Sequence, residues 1–156
     1  MPRATPPAER SEIERAAALV GGARVLRHEL ATSFDVHEAL TEGLPGEAAI
    51  QLMRQVPGIA GDDFEAAIGM SLRTMQRLKR APRQRLSRAQ SGQVWIFARV
   101  LAKASAVMGS REAAEQWLER PAMGLDGRRP IELLATAAGV DLVEEFLNRL
   151  EHGVYV

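Results

Sequence analysis

The apolar residues of this chain come in short runs of helical period, each cut off by glycine or proline. The punctuation is sharpest over residues 117–156, where Pro121, Gly124, Gly127 and Pro130 crowd one loop after Trp117-Leu118. Pro130 suits the first turn of a helix, where its missing N–H is not needed and its ring presets the backbone angle. The helix it opens carries Ile131, Leu133, Leu134 and Ala137 on one side. Gly139 is expected to end that helix in a left-handed conformation that costs glycine little. Asp141 then reads as the N-cap of a final helix, with Glu144 as its capping-box partner. That helix is expected to bury Leu142, Val143, Phe146, Leu147 and Leu150, and Gly153 releases a tail, residues 154–156.

The rest of the chain reads the same way, and the predicted fold is all-α. Ala, Leu, Glu, Arg and Gln dominate while β-branched and aromatic residues are scarce, a balance that favours helix over sheet. Residues 1–10, with three prolines, read as a disordered arm. Ser11 with Glu14 predicts a helix start, with Ile13, Ala16, Ala17, Leu19 and Val20 apolar up to Gly21-Gly22. Val25, Leu26 and Leu30 fit either helix or strand. Short helices are predicted over 33–43 and 47–56, the second stopping at Pro57-Gly58. A long helix is predicted from about Gln93 to Met108 with Val94, Phe97, Val100, Leu101, Ala104 and Met108 facing the core. Trp95 and Ile96 widen that stripe. Ser110 caps a helix over 111–119, and Trp117 reads as an anchor of the bundle.

Charge is the second signal. The chain has 20 basic and 20 acidic residues, yet 66–111 holds ten Arg or Lys and no Asp or Glu. The acids gather at the two ends, eleven in 1–65 and nine in 112–156. A basic middle of this kind points to an anionic partner. It also coincides with a helix, a glycine turn and a second helix: 64–68, Gly69-Met70-Ser71 and 72–79, the helix-turn-helix layout. Ser71 caps the second helix, whose Leu72, Met75 and Leu78 turn inward. Thr74, Gln76 and Arg77 are side-chain types that reach base edges, while Arg73, Lys79 and Arg80 suit phosphates. Arg83, Arg85 and Arg88 extend the positive face. One short recognition helix reads few bases, so DNA binding predicts a dimer on two half-sites.

Other chemistry finds little support. With no cysteine, disulfides and thiolate zinc sites are excluded. His28, His37 and His152 lack metal-ligand spacing, and neither a G-x-S-x-G turn nor a glycine-rich phosphate loop occurs. The reading is a non-enzyme without cofactor, metal site or catalytic residues. No run of apolar residues reaches membrane-spanning length and no apolar signal core leads the chain, so a cytoplasmic protein without membrane association is expected.

A family resemblance sharpens this. Trp117-Leu118, Leu125 and Gly127, Pro130-Ile131-Glu132-Leu133-Leu134, Gly139, Val143, Leu147, Leu150 and Gly153-Val154 stand in an ordered set. That set resembles the C-terminal domain of the Xre/MbcA/ParS antitoxins, with Asp126 where many members have another glycine. Residues 68–77 resemble, more loosely, the helix-turn-helix that precedes that domain, and 85–87 with 98–101 resemble the entry between the two. The resemblance implies an antitoxin that binds and sterically blocks a RES-domain, NAD-consuming toxin and represses its own operon. It implies a homodimer and hetero-oligomers with the toxin. The helix 141–150 would be the docking surface, Leu147 and Leu150 included. Glu151, His152, Gly153, Val154 and Tyr155 would form a blocking tail. The expected organisation is an arm over 1–10, a helical region with the helix-turn-helix over 11–92, and the toxin-binding domain over 93–156. A stand-alone DNA-binding regulator and a plain helical scaffold are the rival readings.

Overall fold

The computed structural model describes residues 5–153. Ten α-helices account for the architecture, with no strand among the described residues. They are α1 (Pro7–Leu19), α2 (Gly22–Leu26), α3 (Ser33–Glu42), α4 (Gly46–Gln55), α5 (Gly61–Ile68) and α6 (Leu72–Arg80). Then follow α7 (Arg88–Met108), α8 (Arg111–Glu119), α9 (Pro130–Leu133) and α10 (Ala137–Glu151). A 3-10 turn, Met123–Leu125, lies between α8 and α9.

Everything is built on α7. Its Val94, Trp95, Phe97, Ala98, Val100, Leu101 and Ala104 are all buried, so apolar residues surround most of its circumference. A helix of that kind belongs inside a bundle. α1, α3, α4 and α5 pack on it from the N-terminal side, α8 and α10 from the C-terminal side. The core is one continuous cluster running from Ile13 to Leu147. The boundary expected at 92/93 falls inside α7, so both halves of the chain share this helix.

Several helix ends differ from the sequence reading, each for a local reason. α1 begins at Pro7 and not at Ser11, because Pro7 occupies the first turn and the Arg10 N–H donates to the Pro6 carbonyl at 3.1 Å. Residues 7–10 are therefore helix, while residues 1–4 lie outside the described part. Val25 and Leu26 form a helical hook, α2. α7 starts five residues earlier than expected: Ser87 accepts from the Gln90 N–H while the Gln90 side chain accepts from the Ser87 N–H. Thr136, not Asp141, caps the last helix, its hydroxyl accepting from the Gly139 N–H at 3.0 Å. Gly139 thus sits in the first turn of α10 and ends no helix. A Cβ there would lie 1.9 Å from the Leu133 carbonyl oxygen, so the glycine permits α9 and α10 to meet.

Candidate functional site

The two helices of the expected helix-turn-helix are present, α5 packed against α7 and α6 against α4. α5 ends at Gly69, whose φ of +67° only glycine adopts freely; a side chain there would meet open space, so backbone conformation alone selects it. Met70 fills the turn, 3 % exposed. The Ser71 hydroxyl accepts from the Thr74 N–H at 3.1 Å and starts α6. Met75 and Leu78 hold α6 to the bundle, each 1 % exposed, whereas Leu72 is 41 % exposed and corrects the inward placement expected for it. The loop after α6 caps α4, which has no side-chain cap of its own. The Gly46 N–H donates to the Gln84 carbonyl at 2.7 Å and the Glu47 N–H to the Pro82 carbonyl at 2.9 Å. Gly46 allows this approach, since a Cβ would come within 2.6 Å of Leu78 Cδ2. Leu44 is pinned as well, by the buried Ser91 hydroxyl and the Leu86 N–H, each at 2.8 Å.

On the outer side of α6 the structure brings Arg73, Thr74, Gln76, Arg77 and Arg80 around one shallow groove of about 340 Å³. Lys79 is exposed on the same helix but does not line the groove. Thr74 is half-buried and receives a hydrogen bond from the Ser71 hydroxyl at 3.0 Å, so part of its capacity serves the cap. Among the described residues no ion pair engages any basic residue of α6. The face is an uncompensated positive surface with hydrogen-bonding side chains on a fixed helix. Arg88 is exposed at the start of α7.

A second face belongs to α8, the 3-10 turn and α10. Trp117 is half-buried, not a fully enclosed anchor, and stacks on Phe146 with ring centroids 5.9 Å apart and an interplanar angle of 11°. Gly124 runs directly over Phe146; a Cβ would lie 2.1 Å from its ring. Together with Met123 and Leu150 these residues line an open groove of about 480 Å³, rimmed by Arg120 and Arg149. Met123 is 94 % exposed. An adjoining depression shares Gly124 and Arg149 and brings in Leu142, which is 50 % exposed instead of buried as expected. Met123 and Leu142 thus place two exposed large apolar side chains on this face, the kind of exposure an interaction surface shows. Sequence reasoning missed Met123, whose one signal was its position in a loop, off any helical period.

The residues expected to touch a toxin divide accordingly. Leu147 is fully buried (0 % exposed) and holds α10 to the core, so it cannot be part of a docking surface in this fold. Leu150 lines the groove. Glu151, His152 and Gly153 are exposed, with the His152 ring folded back so that Nδ1 lies 2.7 Å from the Asn148 carbonyl oxygen. Val154 and Tyr155 lie outside the described residues. Asp126 takes φ +57° and Gly127 φ +71° within the turn closed by the Ala122–Arg128 bridge. The left-handed conformation at 126 is the physical reason a glycine would serve there, and aspartate is among the few other residues that tolerate it.

The two faces are tied to each other. Gln93 Nε2 donates to the carbonyls of Ala67 at the end of α5 and Leu134 after α9, both at 2.6 Å. Arg129 grips Asp63 in α5, and this holds the Asp63 carboxyl below its usual range through the hydrogen bonds and charge of the guanidinium. α8 reaches the loop before α5 twice: Glu119 accepts from the Ala60 N–H at 2.9 Å and Glu115 from the Gly58 N–H at 3.2 Å. Glu115 is buried, which raises its carboxyl above the ordinary value.

Comparison with known proteins agrees with both halves. Residues 35–99 match the antitoxin Xre-like helix-turn-helix domain, and 103–153 match the antitoxin Xre/MbcA/ParS C-terminal toxin-binding domain. The antitoxin Xre of Pseudomonas putida is 30 % identical over 126 residues, 80 % of this chain and 76 % of that protein. The chain belongs to the Xre/MbcA/ParS antitoxin family. The antitoxin Xre of Photorhabdus laumondii is 28 % identical over 116 residues, 74 % of this chain and 77 % of its own length. A Pseudomonas putida 6-hydroxy-3-succinoylpyridine 3-monooxygenase is 42 % identical over 57 residues, but these make up only 18 % of that protein. The local likeness does not extend to an enzyme: the matched domains of this antitoxin are not enzymatic ones. No helix among the described residues is long and apolar enough to cross a membrane.

Proposed function

We propose that this antitoxin binds a RES-domain toxin that consumes NAD, blocks it by covering its pocket, and represses its own operon through α6. The single observation that carries the toxin half is the open groove at Trp117, Phe146 and Leu150, with Met123 held 94 % exposed at its edge. It lies within the part of the chain that matches the family's toxin-binding domain. Inhibition on this reading is steric, since nothing in the groove has the pattern of a catalytic group. In this reading the residues that follow Leu150 in the sequence, 151–155, cover the toxin's pocket. The RES assignment itself rests on the resemblance of the C-terminal motif.

The DNA half is supported by α6, with Arg73, Gln76, Arg77 and Arg80 around one groove and no ion pair on any of them among the described residues. In this reading Gln76 and Arg77 face base edges, Arg73, Lys79 and Arg80 face phosphates, and Thr74 contributes a hydroxyl at the helix start. A homodimer would present two copies of α6 to two half-sites.

The decisive experiment is co-expression with a RES-domain toxin, followed by growth and cellular NAD. The wild-type chain restores both. Met123→Asp combined with Trp117→Ala removes the protection, and so does truncation after Leu150. Full protection by the groove variant would exclude that face, and full protection by the truncated chain would exclude the tail. Binding of upstream DNA with no protection from the toxin would favour a stand-alone regulator.

A further inference from the structure

A basic cleft lies apart from α5 and α6, between the α2 hook, which precedes the matched residues 35–99, and the loop after α6, which lies within them. The hook at α2 is anchored by Val25, Leu26 and Leu30, all buried, and it holds Arg24, Arg27 and His28 in solvent. The loop that follows α6 brings Arg83 and Arg85 to the same cleft, of about 330 Å³. Glu42 and Glu47 also line it, which leaves four guanidinium groups against two carboxylates. Arg85 is held in place by a bond from Nη1 to the Gly43 carbonyl at 2.8 Å. Among the described residues Arg24, Arg27 and Arg83 take part in no ion pair.

Arg27 is the telling residue. It closes α2 with φ +60°, a conformation in which an arginine is strained and a glycine is not, and its N–H donates to the Ala23 carbonyl at 2.7 Å. The fold would be served better by glycine there. A strained position that keeps a long cationic side chain points to a use for the cation. Arg83 follows Arg80, the last residue of α6, by three positions, so the short loop after α6 carries positive charge from that helix into the cleft.

We infer that the α2 hook and the Arg83 loop form a second phosphate-binding site, which holds the DNA backbone beside the groove that α6 enters. This rests on the DNA-binding reading of α6. The ligand is the duplex backbone, which guanidinium groups hold by charge-assisted hydrogen bonds without reading sequence. The site therefore adds affinity and salt dependence on any sequence, whereas α6 supplies discrimination.

The test measures binding of the full chain to a duplex from its own upstream region and to a random duplex of equal length, across a salt series. Each phosphate neutralised contributes about 0.9 to the slope of log affinity against log salt. Arg24→Ala, Arg27→Gly and Arg83→Ala together should lower the slope by about 0.9 for each phosphate no longer neutralised, equally on both duplexes, leaving their affinity ratio unchanged. Arg27→Gly alone should lower the slope while the melting temperature stays level or rises, an outcome a structural role would not produce. Arg83→Lys should keep the slope, since a phosphate needs only the charge. A wild-type slope in the triple variant, with Arg73→Ala/Arg77→Ala still abolishing preference for the upstream duplex, overturns the second site and leaves the α6 reading standing. Absence of DNA binding by the wild-type chain overturns both.

Discussion

Arg129, the residue just before α9, holds Asp63 of α5 by two nearly parallel hydrogen bonds, Nη1 to Oδ2 at 3.0 Å and Nη2 to Oδ1 at 2.9 Å. The forked guanidinium matches a carboxylate in this way, giving direction as well as attraction. The pair spans 66 residues and fastens the first helix of the helix-turn-helix to the part of the chain that matches the toxin-binding domain. Gln93 makes the same connection a few residues away by bridging the carbonyls of Ala67 and Leu134.

The pair should make stability depend on acid. Asp63 has a depressed carboxyl pKa in the folded state, first through its hydrogen bonds to Arg129 and then through charge. Its contribution is therefore complete above the ordinary aspartate range, about pH 4, and is lost as pH falls through the lower folded value. Asp63→Asn should melt at a lower temperature than wild type at pH 7, and the two curves should converge toward pH 2. A constant gap across that range would refute the linkage.

Glu115 should act with the opposite sign. Burial raises its carboxyl, so the folded chain holds that proton to higher pH than the unfolded chain does. Its effect on stability is absent below the ordinary glutamate range, about pH 4.3, and becomes unfavourable as pH rises toward the folded value. Glu115→Gln keeps an oxygen for the Gly58 N–H and should flatten the decline between pH 4 and 7, read from denaturant midpoints. An unchanged pH profile in this variant would show that Glu115 is ionised without penalty.

Leu147→Ala and Met123→Ala separate packing from docking. Leu147 is sealed in the core, so truncation should cost about 2–5 kcal/mol of folding stability. Met123 is exposed, and its truncation should move stability by less than about 0.5 kcal/mol while weakening capture of the toxin at least tenfold. Urea denaturation and a pull-down titration measure the two quantities.

Two glycines should fail for different reasons. Gly69→Ala forces a side chain into φ +67° but meets no neighbour, so it should cost about 1 kcal/mol. Gly139→Ala places a methyl against the Leu133 carbonyl at 1.9 Å and should cost more, about 1–3 kcal/mol, because α9 and α10 must separate. Equal midpoint losses would contradict this assignment.

Replacing Arg73 and Arg77 by alanine should reduce affinity for upstream DNA by at least tenfold in a shift assay at low salt, with the helical circular dichroism unchanged. Both side chains are exposed and unpaired with any acid among the described residues, so folding should not depend on them. Undiminished binding would remove α6 from the recognition role.

Much of the inventory of helices was legible because its signals are local. A cap, a glycine stop or a 3.6-residue period acts within a turn or two of chain, and Ser71, Gly69 and Ser110 do what their positions announce. Errors came where two local signals competed. Thr136 and Asp141 are both good caps, and the chain uses Thr136 because Gly139 lets α10 begin directly against α9. Ser87 with Gln90 offers a capping box that starts α7 at Arg88, ahead of the start expected near Gln93.

What the sequence determined by itself is therefore the all-helical class, the helix-turn-helix and the positive character of α6, all set by neighbours in the chain. Tertiary structure alone decided which apolar residues remain outside, Met123 and Leu142 among them, and which enter the core, as Leu147 does. It also decided that Asp63 meets Arg129 and that Arg24 and Arg27 stand beside Arg83. These outcomes depend on how segments tens of residues apart approach each other, and periodicity within one helix carries no record of that approach.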